Sequence, residues 1–398
     1  MRRVSVVIGA NYGDEGKGVI TDALAYRSYD AIVVMSNGGA QRGHTVINPK
    51  TGKPHVFKHF GSGTFRGCLT YFPEPYILNP MEFVKEFLEL SDISNCIFPI
   101  RSVRHRNCLF STPFDMILNQ DIERWRSSRG TPYGTCGMGV WETIVRDKDP
   151  RHGYYRTLRE FQEAPIELRL KWLKAIRDEY CPKRYRLVTG EEWNPADYVM
   201  SEGLLTHFLE DVAFMCNICP VEISEYQTLA AHEGDLIFEN GQGLMLDDEY
   251  AGTENTILSP PSRTGMRNVA VILDDLRAHY DIIPESVDAY YVTRPYLTRH
   301  GPGAVLNSKK GEVFFTDSTN GTNEFQGDFR QMPIDHARQI AVIQKDMNKY
   351  LSSIKADRKS ATLTFTHVDQ MSPGKVDFPS IAECGTAKGA EDFKGLRW

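Results

Sequence analysis

The sequence predicts an α/β fold built on a large central, mainly parallel β-sheet flanked by helices, and two observations carry that expectation. Short runs that are apolar at almost every position recur along the chain, and stretches with helical spacing of apolar residues fall between them. A run without polar alternation marks a strand buried on both faces, as in a parallel sheet covered by helices.

In chain order, Val4–Gly9 (VSVVIG) reads as the first buried strand and Val19–Tyr26 as the helix after it, so the chain opens strand, loop, helix. Asp30–Met35 (DAIVVM) is a second strand, and Leu236–Phe238, Ser286–Thr293 and Thr362–Val368 are further ones. Helical spacing marks Pro80–Leu90, Pro113–Arg126, Leu204–Phe214, Gly265–Tyr280 and Asp335–Leu351. Residues 151–200 carry many charges and aromatics with weak periodicity, which predicts an accessory helical layer. No internal repeat, low-complexity tract or Pro/Gly linker divides the chain. The expectation is one α/β unit over residues 1–398, with a helical excursion around 100–215.

A chain of 398 residues can bury a sizeable core, and 41% hydrophobic with 25% charged residues places it outside the disordered and collagenous classes. Its net charge of -6 lacks the global basic field on which non-specific nucleic-acid binding depends. The predicted partners are small molecules rather than a nucleic-acid polymer. Eight cysteines, thinly spread, do not read as a disulfide framework and fit a reducing cytoplasm. Cys216-Asn-Ile-Cys219 is the one close pair, and a zinc site would need two more ligands at recognisable spacing. Asn11, Asp14 and Glu15 follow the short apolar run of the N-terminus at once, so no export signal or membrane span is expected.

Between the first strand and helix lies Gly9-Ala10-Asn11-Tyr12-Gly13-Asp14-Glu15-Gly16-Lys17-Gly18. Glycines let the backbone turn tightly around an anion, the helix start offers free N–H groups, and Lys17 adds a charge, so a phosphate is expected here. The order fits neither GxxxxGK[ST] nor GxGxxG. Two carboxylates inside an anion cradle would repel phosphate unless one holds Mg2+ or accepts a proton. The competing reading is a glycine turn with solvated carboxylates.

GDEGKG after an apolar first strand resembles the signature of the adenylosuccinate synthetase family. Gly38-Gly39-Ala40-Gln41-Arg42-Gly43-His44-Thr45 resembles that family's GGxNxGHT, with Gly43, His44 and Thr45 in register. Gly61-Ser62-Gly63 is similar to its SG turn, Gly134-Thr135-Cys136-Gly137-Met138-Gly139 to GTTGRG, and Arg151-His152-Gly153 to RRG. Glu239-Asn240-Gly241-Gln242-Gly243 resembles EGAQG, and His367-Val368-Asp369 resembles KLD.

The resemblance implies the family's P-loop-NTPase-like fold and a ligase that joins L-aspartate to C6 of a purine nucleoside monophosphate, using a nucleoside triphosphate and Mg2+. The 6-oxo group leaves poorly, so it is first converted to a 6-phosphoryl ester that the aspartate amine displaces. By the match, Asp14 takes the N1 proton and ligates Mg2+ together with the Gly43 carbonyl, and His44 serves O6 and the moving phosphoryl group as general acid. The same match gives the triphosphate to Gly13, Glu15, Gly16, Lys17, Gly18, Gly43, Thr45, Asp369 and Gly385. It gives the monophosphate to Asp14, Lys17, Gln41, Thr135, Cys136, Arg151 and Gln242. In this family the arginine matching Arg151 comes from the partner subunit, which implies a homodimer. Bland alternatives stand beside these: a solvated loop histidine for His44, a turn residue for Gln242, a surface charge for Arg151.

The aspartate loop departs furthest from the family. Its TTGRRRR is reduced here to Thr322-Asn323-Glu324-Phe325-Gln326-Gly327-Asp328-Phe329-Arg330, leaving Thr322, Asn323, Gln326 and Arg330 to hold aspartate. Arg330 keeps a guanidinium suited to bidentate carboxylate capture, unless it merely pairs with Asp328 or Asp335. The family's KLD and STGPDR, which select GTP, read HVD and Glu383-Cys384-Gly385-Thr386-Ala387-Lys388, so ATP and GTP both stay open. Gln41 and Cys136 replace Asn and Thr. Such divergence is similar to the family's phage-encoded branch, which makes 2-aminoadenylosuccinate from dGMP and can use ATP, although Asp14, intact here, is replaced in many of its members. The favoured expectation is the dGMP-using ligase, working in the cytoplasm of a host if phage-encoded. Its alternatives are an ordinary IMP- and GTP-using ligase and a catalytically silent nucleotide-binding homologue.

Overall fold

The structure, a computed structural model, describes residues 2–94, 99–149, 155–250, 262–303 and 324–367, with the single positions 305, 315 and 320. The strands are β1 (Arg3–Gly9), β2 (Ile32–Val34), β3 (His44–Ile47), β4 (Pro54–Phe57), β5 (Leu69–Phe72), β6 (Arg101–Arg104), β7 (Leu236–Gly243), β8 (Ser286–Thr293), β9 (Leu297–His300), β10 (Phe329–Met332) and β11 (Arg358–Phe365). The helices are α1 (Lys17–Arg27), α2 (Pro80–Ser94), α3 (Pro113–Ser127), α4 (Val140–Asp147), α5 (Leu158–Glu163), α6 (Ile166–Ala175), α7 (Cys181–Thr189), α8 (Glu202–Ile218), α9 (Gln227–Ala231), α10 (Arg267–Tyr280) and α11 (His336–Lys349).

Seven strands form one all-parallel sheet in the order β11-β8-β1-β7-β2-β5-β6. The predicted class, a central parallel sheet flanked by helices, is the one observed. Its central strands lack polar alternation because both faces are covered. Val4, Val6 and Ile8 of β1 pack with Ile272 of α10 and Ile343 of α11, whereas Val7 packs on the opposite face with Ile20 of α1 and Phe72. Two antiparallel strand pairs, β3–β4 and β9–β10, lie outside the sheet.

Some bounds differ from the sequence expectation, for physical reasons. β7 runs on past Phe238 to Gly243, so the EGAQG-like segment ends a strand. β5 and β6 were not foreseen: each is four residues long, and β6 sits at the sheet edge with alternating burial. Weak periodicity after residue 155 has a cause as well, because a π-helical turn at Ile176–Tyr180 separates α6 from α7 just before Pro182. Proline has no N–H to continue an α-helical ladder, and the wider turn shifts the apolar face out of phase.

The chain runs from β1 outward through β2, β5 and β6, returns to insert β7 beside β1, then crosses to β8 and β11. The direction of travel therefore reverses around β1 and β7, and ligands of open α/β sheets bind over the carboxyl ends of strands at such a reversal. The six described cysteines are free thiols, and among the described residues no helix is long and apolar enough to cross a membrane.

Candidate active site

The loop leaving β1 is folded around its own acid. Glu15 Oε1 accepts from the backbone N–H of Asn11 (3.1 Å) and of Gly13 (2.8 Å), and Oε2 accepts from Lys17 Nζ at 2.7 Å. Both side chains are only 2% exposed. Two glycines make room for the carboxylate: a Cβ on Gly9 would lie 2.5 Å from Glu15 Oε2, and one on Gly243 would lie 2.7 Å from Oε1. Glu15, expected beside a triphosphate, thus fills the inner cradle itself, and Lys17 is its counter-ion. Glu15→Gln would leave that ammonium buried without an anion, which is expected to lower stability by about 3–5 kcal/mol. The urea midpoint reads this, and an unchanged midpoint would contradict it.

Gly16 caps α1 in the left-handed region at φ 89°, and Gly18 lies against the second motif. A Cβ on Gly18 would sit 2.9 Å from His44 Cβ and 3.1 Å from Ser62 Oγ. The Ser or Thr of an ordinary phosphate loop has no space there.

Asp14 is held in a left-handed conformation, φ 60°. Arg294 Nε donates to its carbonyl oxygen at 2.6 Å, and Thr298 Oγ1 donates to the carbonyl of Gly13 at 2.7 Å. Its carboxylate lies 3.4 Å from His300 Nε2 and stays 24% exposed. Burial raises the Asp14 carboxyl above the ordinary range, with Glu15 adding to the effect and His300, Lys17 and Arg294 opposing it. An acid so placed is better suited to accept a proton near neutrality than an ordinary aspartate.

His44 opens β3 and is nearly buried. Its Nδ1 lies 2.5 Å from Glu239 Oε1, and Glu239 also accepts from the Ser62 N–H at 2.9 Å and from the Ser62 hydroxyl. Arg42 completes the cluster, its Nη2 3.6 Å from the same Glu239 oxygen. Burial, then Arg42 and Lys17, lower His44 to about 4 against the pull of Glu239, so the ring is neutral at pH 7. Burial would raise Glu239, but Arg42, His44 and Ser62 outweigh it and hold the carboxyl at about 2.

The profile of one protein family, described as adenylosuccinate synthetase, matches residues 6–327. The chain belongs to the adenylosuccinate synthetase family. Among curated relatives, the adenylosuccinate synthetases of Cyanothece sp. and Synechocystis sp. are 27% and 28% identical over 330 and 324 residues, each covering 77% of this chain. The matches take in 64% and 63% of those proteins, so this chain spans less than two thirds of their length. A fully ligated adenylosuccinate synthetase from Plasmodium falciparum shares the fold at a TM-score of 0.65 and 19% identity, over 94% of this chain and 78% of that one. Cyanophage S-2L succinoaminodeoxyadenylate synthetase, solved with dGMP and dATP, shares it at 0.52 and 12% identity, over 92% of this chain and 93% of that one.

The remaining residues singled out by the family motifs fall as follows. Gln242, next to last in β7, has φ 60°, and its Oε1, like that of Gln41, is buried with no hydrogen-bond partner among the described residues. Gly43 is exposed immediately before β3, and Thr45 is half-buried on it. Thr135 donates its hydroxyl to Asn119 Oδ1 at 2.9 Å, and burial pushes the Cys136 thiol up to about 11, so a thiolate is absent. Arg330 donates to the carbonyl oxygens of Gly301 (2.5 Å) and Gly303 (3.1 Å), and its Nε is buried without a hydrogen-bond partner among the described residues. The Gln326 carbonyl lies where a Cβ on Gly301 would approach it to 2.5 Å, so residues 301 and 326 are in contact. Arg151, Thr322, Asn323, Asp369 and Gly385 lie outside the described residues.

Sequence reasoning gave no role to Glu239, Arg42, Arg294, Thr298 or His300. Glu239 stood inside a quoted motif and could have been found there. Arg42 likewise stood inside a quoted motif, beside His44, whereas Arg294, Thr298 and His300 carry no local signal because their partners Gly13 and Asp14 lie far away in sequence.

Proposed function

We propose that this chain is a ligase that joins L-aspartate to C6 of a purine nucleoside monophosphate through a 6-phosphoryl intermediate, driven by ATP or GTP with Mg2+. The observation that carries this reading is that the β1 loop bearing Asp14, whose carboxyl burial raises, packs through Gly18 against the carboxylate-oriented His44 at the carboxyl ends of β1 and β7. Asp14 takes the N1 proton, which makes O6 the nucleophile toward the γ-phosphorus. His44, neutral in the free chain, gains a proton when the polyanionic triphosphate lies beside it, and then donates toward O6. Helix-start amides from Gly16 to Gly18 remain for phosphate while Glu15 holds the inner ones.

The site residues fit a hard cation: the Asp14 carboxylate stays partly open to solvent, 3.4 Å from His300 Nε2, and Gly43 is exposed. Bound Mg2+, held by the Asp14 carboxylate and the Gly43 carbonyl, would neutralise charge on the triphosphate. Arg330 would receive a carboxylate of aspartate on its unpartnered Nε, aided by Gln326, Thr322 and Asn323. A homodimer in which Arg151 serves the partner's site belongs to the same proposal.

For the monophosphate, dGMP is the favoured substrate. Gln41 and Gln242 each present an amide oxygen that has no donor among the described residues, and guanine carries a 2-amino donor that hypoxanthine lacks. The cyanophage protein solved with dGMP also matches this chain over nearly the whole of both lengths. Intact Asp14 and the curated relatives favour the second reading, IMP with GTP. Incubation with equimolar dGMP and IMP, L-aspartate, Mg2+ and both triphosphates decides by product mass. The 2-amino-2'-deoxyadenylosuccinate adduct is expected; turnover of IMP alone establishes the second reading, and no adduct from either removes the ligase.

A further inference from the structure

We infer that Arg42 is a positioning residue for His44, acting through Glu239: its guanidinium holds the Glu239 carboxylate as a fixed acceptor and so keeps His44 with a proton on Nδ1 and a lone pair on Nε2. An arginine in a glycine-rich loop is ordinarily a solvated charge, yet the Arg42 side chain is 1% exposed. Its Nη1 lies 3.3 Å from Met35 Sδ, and its stem crosses β7 where residue 241 is glycine, a Cβ there meeting Arg42 Cγ at 3.3 Å. The chain has therefore built a path for this cation to the carboxyl end of the central strand β7.

The reason is the buried carboxylate. Glu239 is fully buried, and an ionised carboxylate in such a place requires a counter-charge as well as hydrogen bonds. Ser62 supplies two neutral donors and His44 a third; Arg42 supplies the charge. The tautomer follows from the competition at Nδ1. Arg42 Nη2, 3.2 Å away, can only donate to that nitrogen, and ionised Glu239, 2.5 Å away, can only accept from it. A bare Nδ1 would set two lone pairs against each other at the shorter distance, so the proton sits on Nδ1 and points at Glu239. Without the guanidinium, Glu239 has no full charge partner and is stabilised by taking a proton itself. Its O–H then donates to Nδ1, and the ring proton moves to Nε2, the atom that must be bare to receive a proton beside the triphosphate.

The catalytic part of this inference rests on the ligase reading, but its first test does not. In free protein labelled with 15N-histidine, long-range 1H–15N correlations identify His44 by its loss in His44→Asn and report which ring nitrogen is bare. Wild type and Arg42→Lys, which keeps the charge, are expected to show a bare Nε2; Arg42→Met and Arg42→Gln are expected to show protonated Nε2 or a tautomer mixture. In turnover assays, Arg42→Met is expected to lower kcat by about 10–100-fold with KM for the monophosphate within about twofold, the size of effect typical of a group that orients a ligating or catalytic histidine. A bare Nε2 retained in Arg42→Met, a protonated Nε2 in wild type, or loss of the pattern in Arg42→Lys would each overturn the inference. So would unfolding of all three variants, which would make Arg42 a residue of the fold rather than of His44. Absence of turnover in wild type with the NMR pattern intact would count against the ligase reading and not against this one.

Discussion

Asp14→Asn is expected to lower kcat by about 10²–10⁴-fold and, in the same protein, to raise the denaturant midpoint at pH 7. The two effects have one cause. Burial raises the Asp14 carboxyl above its ordinary value in the folded chain. Between the ordinary and the raised value, folded protein binds more protons than unfolded protein, so stability falls as pH rises through that window. At neutral pH the ionised carboxylate is therefore a net burden on the fold, retained because an ionised base is what the N1 proton needs. Asparagine removes the charge, tolerates the left-handed backbone at φ 60°, and has no site for the proton. For the same reason, wild-type kcat/KM should fall as pH drops through the raised value of Asp14. Full turnover in Asp14→Asn, or a lower midpoint, would contradict the assignment of Asp14 as the base.

Glu239→Gln carries the second large effect, expected at about 3–5 kcal/mol of lost stability at pH 7 because it strands a buried Arg42 without an anion. The pH dependence has a definite sign. Glu239 is held at about 2 against an ordinary 4.5, so its contribution is present in full above 4.5 and is lost as pH falls from 4.5 toward 2. The difference amounts to about 3 kcal/mol for this fully buried group. His44, lowered from 6.5 to about 4, acts in the same direction, its contribution lost as pH falls through that range. Urea titrations of wild type and Glu239→Gln at pH 7 and pH 3.5 measure both. The variant's stability deficit should shrink at the lower pH, and an equal deficit at both would show that Glu239 is not ionised in the fold.

How much of this was legible beforehand depended on whether the determining contacts were local. The opening strand, loop and helix announced themselves because Val4–Gly9 is buried on both faces and the glycines of the loop after it, Gly13, Gly16 and Gly18, lie close together in sequence. β5 and β6 did not, since four-residue strands near an edge offer too few positions for a period to emerge. The helices after residue 155 were blurred by the π turn before Pro182. At the site, Asp14, Lys17 and His44 were readable from motif order, but what each one faces was not. Glu15 turned inward onto the amides expected to meet phosphate, because Gly9 and Gly243, which admit it, are brought together only by β1–β7 pairing. Arg42 was given no role in the sequence, because its counter-ion Glu239 lies 197 positions away along the chain by the difference of their numbers.

The central claim is that the purine oxygen is activated as a phosphoryl ester before aspartate attacks. Monophosphate substrate labelled with 18O at C6 tests it directly, by mass analysis of the inorganic phosphate released during turnover with L-aspartate, triphosphate and Mg2+. The label is predicted to appear in phosphate in one-to-one ratio with adduct formed; adduct formation with the label released to water would contradict the account.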